Sequence, residues 1–375
     1  MTVTLRVMLD QLVAPTDAAL AEASRDLARA LVIASPTGCE VELVVPSGPS
    51  REIEAEVPGV ASIQRSGLPR RELAAALQLG IPTGIGGGMI HSPTMFAPLV
   101  KHDRVHDHDQ TVVTVWDLRA WEHPGELPRA EAGWQRAMLK RAVKHADAVV
   151  VPTHSMGERL ADAAPLGDRI RVIAGAAPTG FAVPTDEIGR RRDLGLPEGY
   201  VLLAGGAAAS DALDDGFAAV ARSQLQVPVV VIDAGDGEEP VLADRAAAAG
   251  LPERMLHVRG PLDAADRAAV FGAALALVAP SRRMAFPWRV LDSLSLGVPV
   301  VAAASDIHRE VVVDGGILVE PDASGAVADG LAAALASALG STASAERFAV
   351  LASDRGRAFS WREAADRVWQ LHADL

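Results

Sequence analysis

Three arginines crowd one short stretch, SRRMAFPWRVLDSLSLGVPVV, which runs from Ser281 to Val301. Arg282 and Arg283 open it, Arg289 follows, and Asp292 lies one helical turn further on. Guanidinium groups so close together can reach the oxygens of a phosphate, and anion binding is the chemistry the stretch offers. Helix N-termini expected near Phe286 and Ser210 would add partial positive charge.

Other clusters give weaker signals. KHDRVHDHDQ sets His102, His106 and His108 among aspartates, and such residues can hold a metal. The spacing is neither that of a metal-binding helix nor that of a knuckle, so the segment reads as a polar surface loop before a strand. GIGGGMIHSP has fingerprint-like glycines, but it precedes a strand where a dinucleotide fingerprint must follow one. The glycines read instead as points of close backbone approach, with His91 at a strand end. Trp116 and Trp121 follow another strand end, where they either pack in the core or present a flat face to a ring. Trp134 falls in a helical pattern and reads as core. The sequence contains no Gly-x-Ser-x-Gly elbow, no Walker-type phosphate loop and no Cys-x-x-Cys. Its single cysteine, Cys39, excludes an intrachain disulfide and reads as a small buried residue.

The elements that would position these residues alternate in type. VTLRVML, EVELVVP, MIHSP, TVVTVWDL, DAVVVPTHS and RIRVIAGA read as strands of a first array. Between them, DAALAEASRDLARALVIA, RRELAAALQL and RAEAGWQRAMLKRAVKHA have apolar residues at helical spacing. A second array repeats the pattern with YVLLAGG, VPVVVIDAG, MLHVRG, LALVAPS and VPVVAAA as strands. Continuous apolar strands separated by helices imply parallel sheets covered on both faces. The arrays meet near PTGFAVPTDEIGRRRDLGLPEG, whose Pro and Gly content suits a linker. Ligands of such sheets bind beyond the strand C-termini, which places the expected site in a cleft between two facing domains.

A length of 375 residues fits two domains, and 49% apolar with 22% charged residues marks a globular chain. Aromatics are scarce at 4% and alanine is abundant, which suits close helix packing and a GC-rich bacterial genome. A net charge of −13 argues against a nucleic-acid partner, because phosphate neutralisation needs a basic face. The local clusters Arg70-Arg71 and Arg190-Arg191-Arg192 read as solvated surface charge. No apolar run is long enough to span a bilayer, and the N-terminus enters a strand without a signal-peptide pattern. A cytoplasmic location is expected, with peripheral contact at the inner membrane face left open.

VVTVWDL, HADAVVVPTHSMGERLA, RIRVIAGA, YVLLAGG, LALVAPS and LDSLSLGVPVVAA occur in this order, followed by GGILVEP and FSWREAADRVWQLHADL. In this order and spacing the segments resemble the family-4 retaining glycosyltransferases of the GT-B fold along nearly the whole chain. The resemblance implies an α/β protein of two doubly wound Rossmann-like domains. Residues 1–182 form the acceptor-side domain, 183–357 the donor-side domain, and 358–375 a helix crossing back onto the first. It also implies transfer of a sugar from a nucleotide donor, in making polysaccharides or glycoconjugates, without metal or other cofactor.

Four devices are expected in such a donor site, and the sequence departs from each. A glycine pair after the first strand is replaced by Thr16-Asp17. The Arg-Lys diphosphate clamp of the second domain aligns with Ser210-Asp211, which follow Gly205 and Gly206. Of two donor-holding carboxylates, one is Met284 and the other is Asp292. A His-Asp pair near the reacting sugar becomes Trp116-Asp117, leaving Asp117 as the catalytic candidate. A charge-assisted contact in a dry site is worth about 2–4 kcal/mol, so these exchanges would remove most donor catalysis.

The expected donor-side residues are therefore Gly205, Gly206, Ser210, Arg282, Arg283, Met284, Arg289 and Asp292. The acceptor-side candidates are His91, Trp116 and Trp121, and the histidine loop, if it functions, touches acceptor. The leading expectation is a glycosyltransferase-like protein with an eroded donor site, supporting an active glycosyltransferase partner or pairing with itself. The alternatives are an active enzyme with a relocated phosphate clamp, and a glycan-binding or scaffold module.

Overall fold

A computed structural model describes residues 2–48, 53–103 and 105–375. The chain divides into two compact units. Unit 1 comprises Met1–Ala176, Met284–Phe286 and Ser360–Leu375, and unit 2 comprises Ala177–Arg283 and Pro287–Phe359. The sequence reading had placed the corresponding boundaries after residues 182 and 357.

Unit 1 holds strands β1 (Val3–Met8), β2 (Cys39–Ser47), β3 (Ser62–Pro69), β4 (Met89–Ser92), β5 (Gln110–Thr114), β6 (Ala148–Val151) and β7 (Ile170–Val172). They form one sheet in the order β3-β2-β1-β4-β5-β6-β7, with every pair parallel. β5 and β6 are buried at every position, because helices cover both faces. The strand β3 was not foreseen. It is a mostly exposed, polar edge strand containing Gly67 and Pro69, so it lacks the apolar run that betrays its neighbours.

Unit 2 holds β8 (Tyr200–Ala204), β9 (Val229–Ile232), β10 (Leu256–Val258), β11 (Ala274–Ala279), β12 (Val300–Ala303) and β13 (Gly316–Val319). Their order is β10-β9-β8-β11-β12-β13, again all parallel. One face of this sheet packs Val201, Leu203, Val231 and Val278 against Phe217 and Leu331 from flanking helices. Fully burying one such side chain contributes about 1.5–3 kcal/mol, and this core fixes where the strand ends lie.

The linker region contains a helix at Glu187–Asp193, whose Arg191 is buried against Glu187 at 2.9 Å rather than solvated. Arg70 likewise pairs with the buried Asp10 at 2.8 Å. Both arginines thus depart from the surface-charge expectation: Arg70 pairs the buried Asp10, and Arg191 is itself buried and paired by the half-exposed Glu187. The C-terminal helix Trp361–Asp374 packs on the helix Ala18–Ile33, and Trp369 Nε1 donates to the Leu31 carbonyl at 3.1 Å. Among the described residues no helix is long and apolar enough to cross a membrane.

Candidate functional site

The C-terminal end of β8 runs into Gly205 and Gly206 and then a short 3-10 turn, Ala209–Asp211. Backbone N–H groups gathered at such a strand end ordinarily make an anion-binding concavity. Here the chain's own carboxylates occupy it. The Gly206 N–H donates to Asp211 Oδ2 at 2.7 Å. The Ala207 and Gly235 N–H groups donate to Glu238 Oε2 at 2.9 and 2.8 Å.

At Gly205 the backbone conformation itself calls for glycine. Gly205 has φ +134°, and a Cβ there would lie 2.9 Å from the Asp211 carboxyl carbon. A Cβ at Gly206 would collide with Glu238. Arg283 forms an ion pair with Asp211, and the Ser281 hydroxyl donates to the Ser210 carbonyl at 2.7 Å. Arg282 is exposed, with a long 3.5 Å contact to the Gly325 carbonyl.

A second charged group lies under the helix Trp288–Ser295. Asp292 is 1% exposed and Arg267 is 0% exposed, and Arg267 Nε donates to Asp292 Oδ2 at 2.9 Å. Arg289 Nη1 reaches the same oxygen at 2.8 Å. Arg289 also grips Asp233 with two donors, at 2.6 and 3.2 Å. Burial alone would lower the Arg289 pKa, but Asp292 and Asp233 outweigh it and raise the value. Two of the residues expected on the donor side, Arg289 and Asp292, are therefore engaged in internal ion pairs. Charged side chains this deep must be paired, and the pairing uses the groups a ligand would need.

Unit 1 treats its candidates in the same way. Trp116 is buried, its Nε1 donates to the Pro93 carbonyl at 2.7 Å, and its ring lies 5.5 Å from that of Phe286. It packs in the core of unit 1. Asp117 pairs with Arg119 and forms an isolated bridge with Ala285. The bridge continues as Leu118 N to Met284 O and Phe286 N to Trp116 O, both at 2.9 Å. Met284 is 7% exposed, an apolar side chain where a donor carboxylate was expected. Trp121 is half-buried at the end of a short helix, and Trp134 donates to the Ala74 carbonyl at 3.1 Å. His91 is 1% exposed in the sheet, so it faces no ligand from there.

At the end of β1, Asp17 caps the following helix by accepting from the Leu20 N–H at 3.0 Å, and Thr16 hydrogen-bonds Gln11. Asp10 beyond them is buried. Burial raises its pKa, and Arg70, Gln11 and Thr94 oppose that rise. His102 pairs with Asp147 and His106 with Asp103, both at 2.8 Å. Arg104 of that loop lies outside the described residues. No group of three or more His, Cys, Asp or Glu side chains arranged to hold a metal occurs among the described residues.

Sequence reasoning missed Glu238, Asp233 and Arg267. Asp233 did carry a signal, since it directly follows the apolar run VVVI at a strand C-terminus, and Glu238 lies in the glycine-rich loop after it. Arg267 carried another: it stands in the largely apolar helix AADRAAVFG, where a buried cation must find a partner.

Two parallel, doubly wound sheets in one chain define the GT-B fold, and solved structures of that type match it over its whole length. The sucrose-phosphate synthase of Thermosynechococcus elongatus is similar with TM-score 0.70 and 18% identity, over 99% of this chain and 98% of its own. The Anabaena protein HepE, crystallised with UDP-glucose, is similar with TM-score 0.68 and 15% identity, over 99% of this chain and all of its own. Residues 23–179 match the family model described as Glycosyltransferase Family 4, and residues 199–337 match one described as Glycosyl transferases group 1. The chain is a GT-B protein that resembles the family-4 glycosyltransferases in both of its units. A D-inositol 3-phosphate glycosyltransferase of Xylanimonas cellulosilytica is 30% identical over 265 residues, 67% of this chain and 62% of the relative. One from Stackebrandtia nassauensis is 29% identical over 253 residues, 63% of this chain and 56% of the relative. The matched region thus spans little more than half of these curated relatives.

Proposed function

We propose that this glycosyltransferase-type protein has a donor unit occupied by its own acidic side chains, so that alone it transfers sugar weakly or not at all. The reading rests on one observation: the Asp211 carboxylate sits on the Gly206 amide and is neutralised by Arg283. A diphosphate entering that place meets an anion where it needs a donor. Two like charges about 4 Å apart at an effective dielectric near 20 repel by about 4 kcal/mol, an upper limit here because Arg283 offsets part of the Asp211 charge. That is about a thousandfold in affinity, enough to turn micromolar binding into millimolar. Such a chain serves best as a support for a catalytically intact glycosyltransferase of polysaccharide or glycoconjugate assembly. A fold outlives its site when its surface is still used.

A second reading is favoured by Arg283. Were Asp211 to swing aside, that guanidinium and the Gly206 amide would together face an anion, as a relocated clamp of an active enzyme. Calorimetric titration of UDP into the wild type, Asp211→Asn and Arg283→Ala separates the two. Self-occupation requires tighter binding by Asp211→Asn and little loss in Arg283→Ala. Strong wild-type binding that Arg283→Ala abolishes would instead establish the relocated clamp.

A further inference from the structure

The first unit contains a buried imidazole pair that the donor chemistry leaves unused. His372, in the last turn of the C-terminal helix, is 2% exposed, and His91, on β4, is 1% exposed. Their rings meet edge to face, with centroids 5.5 Å apart.

The hydrogen bonds fix which nitrogens carry protons. Gln110 donates through Nε2 to the His372 carbonyl at 3.2 Å, so its Oε1 is the atom facing His372 Nδ1 at 2.8 Å. A carbonyl oxygen can only accept, so Nδ1 of His372 bears the proton and Nε2 is bare. That bare nitrogen lies 3.4 Å from His91 Nδ1, which must then be the protonated one. The chain of tautomers ends at His91 Nε2, a bare lone pair that is fully buried and has no hydrogen-bond partner. Neither ring can gain a proton without losing its place in this chain or putting a cation in the sheet interior.

We infer that the C-terminal helix is an acid-sensitive latch, held on unit 1 while both histidines are neutral and loosened when either takes a proton. Trp369 also ties the helix to the unit through the Leu31 carbonyl, and its buried face carries Trp361, Ala364, Ala365, Val368 and Leu371.

Charged groups approach the pair from several elements. Ahead of β6, Asp147 favours a charged His372, but it is already engaged by His102. On β4, His91 can only oppose a second charge. The helix Ala18–Ile33 brings Asp26, paired with Arg25 at 3.2 Å and Arg29 at 3.7 Å. On β1, Arg6 is paired with Glu42 at 2.9 Å. The latch helix itself carries Asp374, hydrogen-bonded by Gln370 at 2.7 Å.

Burial dominates at both rings. It lowers the His91 pKa, with His372 adding to the effect, and lowers that of His372 to about 4 against the opposing pull of Asp147. A group whose folded pKa is depressed contributes stability that is present above its unfolded value and lost as pH falls. For His372 the window runs from 6.5 down to about 4. At pH 5 that one residue raises the helix-opening equilibrium about thirtyfold.

Hydrogen exchange on the full chain at pH 7.5 and pH 5 reads this directly, after correction for intrinsic exchange and with β8 to β11 as internal reference. The expected result is a selective rise of about thirtyfold in opening over Trp361–Asp374 at the lower pH. In His372→Gln the pH effect should shrink strongly. Equal protection at both pH values, or an undiminished pH effect in that variant, would overturn the latch. If the variant does not fold, NMR titration of the wild-type rings decides. Both rings neutral at pH 5.5 supports the latch, and ordinary titration near 6.5 refutes it.

Discussion

Asp292→Ala tests whether the buried carboxylate of unit 2 serves structure or a donor. In the wild type one oxygen of Asp292 accepts from Arg267 at 2.9 Å and from Arg289 at 2.8 Å. Arg289 keeps Asp233 after the substitution, so its charge stays compensated. Arg267 is 0% exposed, and its neighbours include the Leu262 carbonyl at 3.3 Å and the face of Phe181 at 5.2 Å. The substitution thus removes a carboxylate paired with a fully buried guanidinium. Breaking a buried pair on one side costs about 3–5 kcal/mol. In a domain of this size each kcal/mol moves the melting point by about 2–4 °C, so a fall of about 6–20 °C is expected. Circular dichroism melts and urea titrations measure it, with an unchanged m-value showing that stability alone has moved. Arg267→Met combined with Asp292→Leu should recover much of the loss, since the pair is then replaced and not broken. The reasoning is refuted if Asp292→Ala melts within about 2 °C of the wild type.

Two further outcomes are expected. Ser210→Arg with Asp211→Lys should strengthen diphosphate binding by tenfold or more, because it restores cations at the end of β8; each 1.4 kcal/mol is worth that factor. Calorimetry checks it, with Arg282→Ala as a control that should leave binding unchanged. The protein should also form a stable complex, with itself or with an intact glycosyltransferase, burying more than about 1,000 Å² in total. Light scattering and co-purification decide that point, and a strictly monomeric protein that enriches no glycosyltransferase would count against it.

The parallel sheets were legible because buried strands must be apolar at every position, as VVVI and LALVA are. The edge strand β3 was not, since half-exposed backbone imposes no such pattern on SIQRSGLP. At the site, the acidic character of Asp211 and the apolar one of Met284 could be read directly. What these residues touch could not. Arg283 lies far from Asp211 in sequence, and Arg267 far from Asp292, so only the folded sheet brings them together. Trp116 shows the limit of residue type as a guide. A tryptophan after a strand end suits a sugar platform or a core equally, and the hydrogen bond to Pro93 that holds its ring in unit 1 is a tertiary fact.

The central claim, that the donor unit is occupied by its own carboxylates, is tested most directly by titrating the unmodified protein with a panel of nucleotide diphosphates and nucleotide sugars in a calorimeter. Asp211 on the Gly206 amide and Glu238 on the amides of Ala207 and Gly235 predict dissociation constants of about 1 mM or weaker across the panel. Micromolar binding of any one of them would contradict the account.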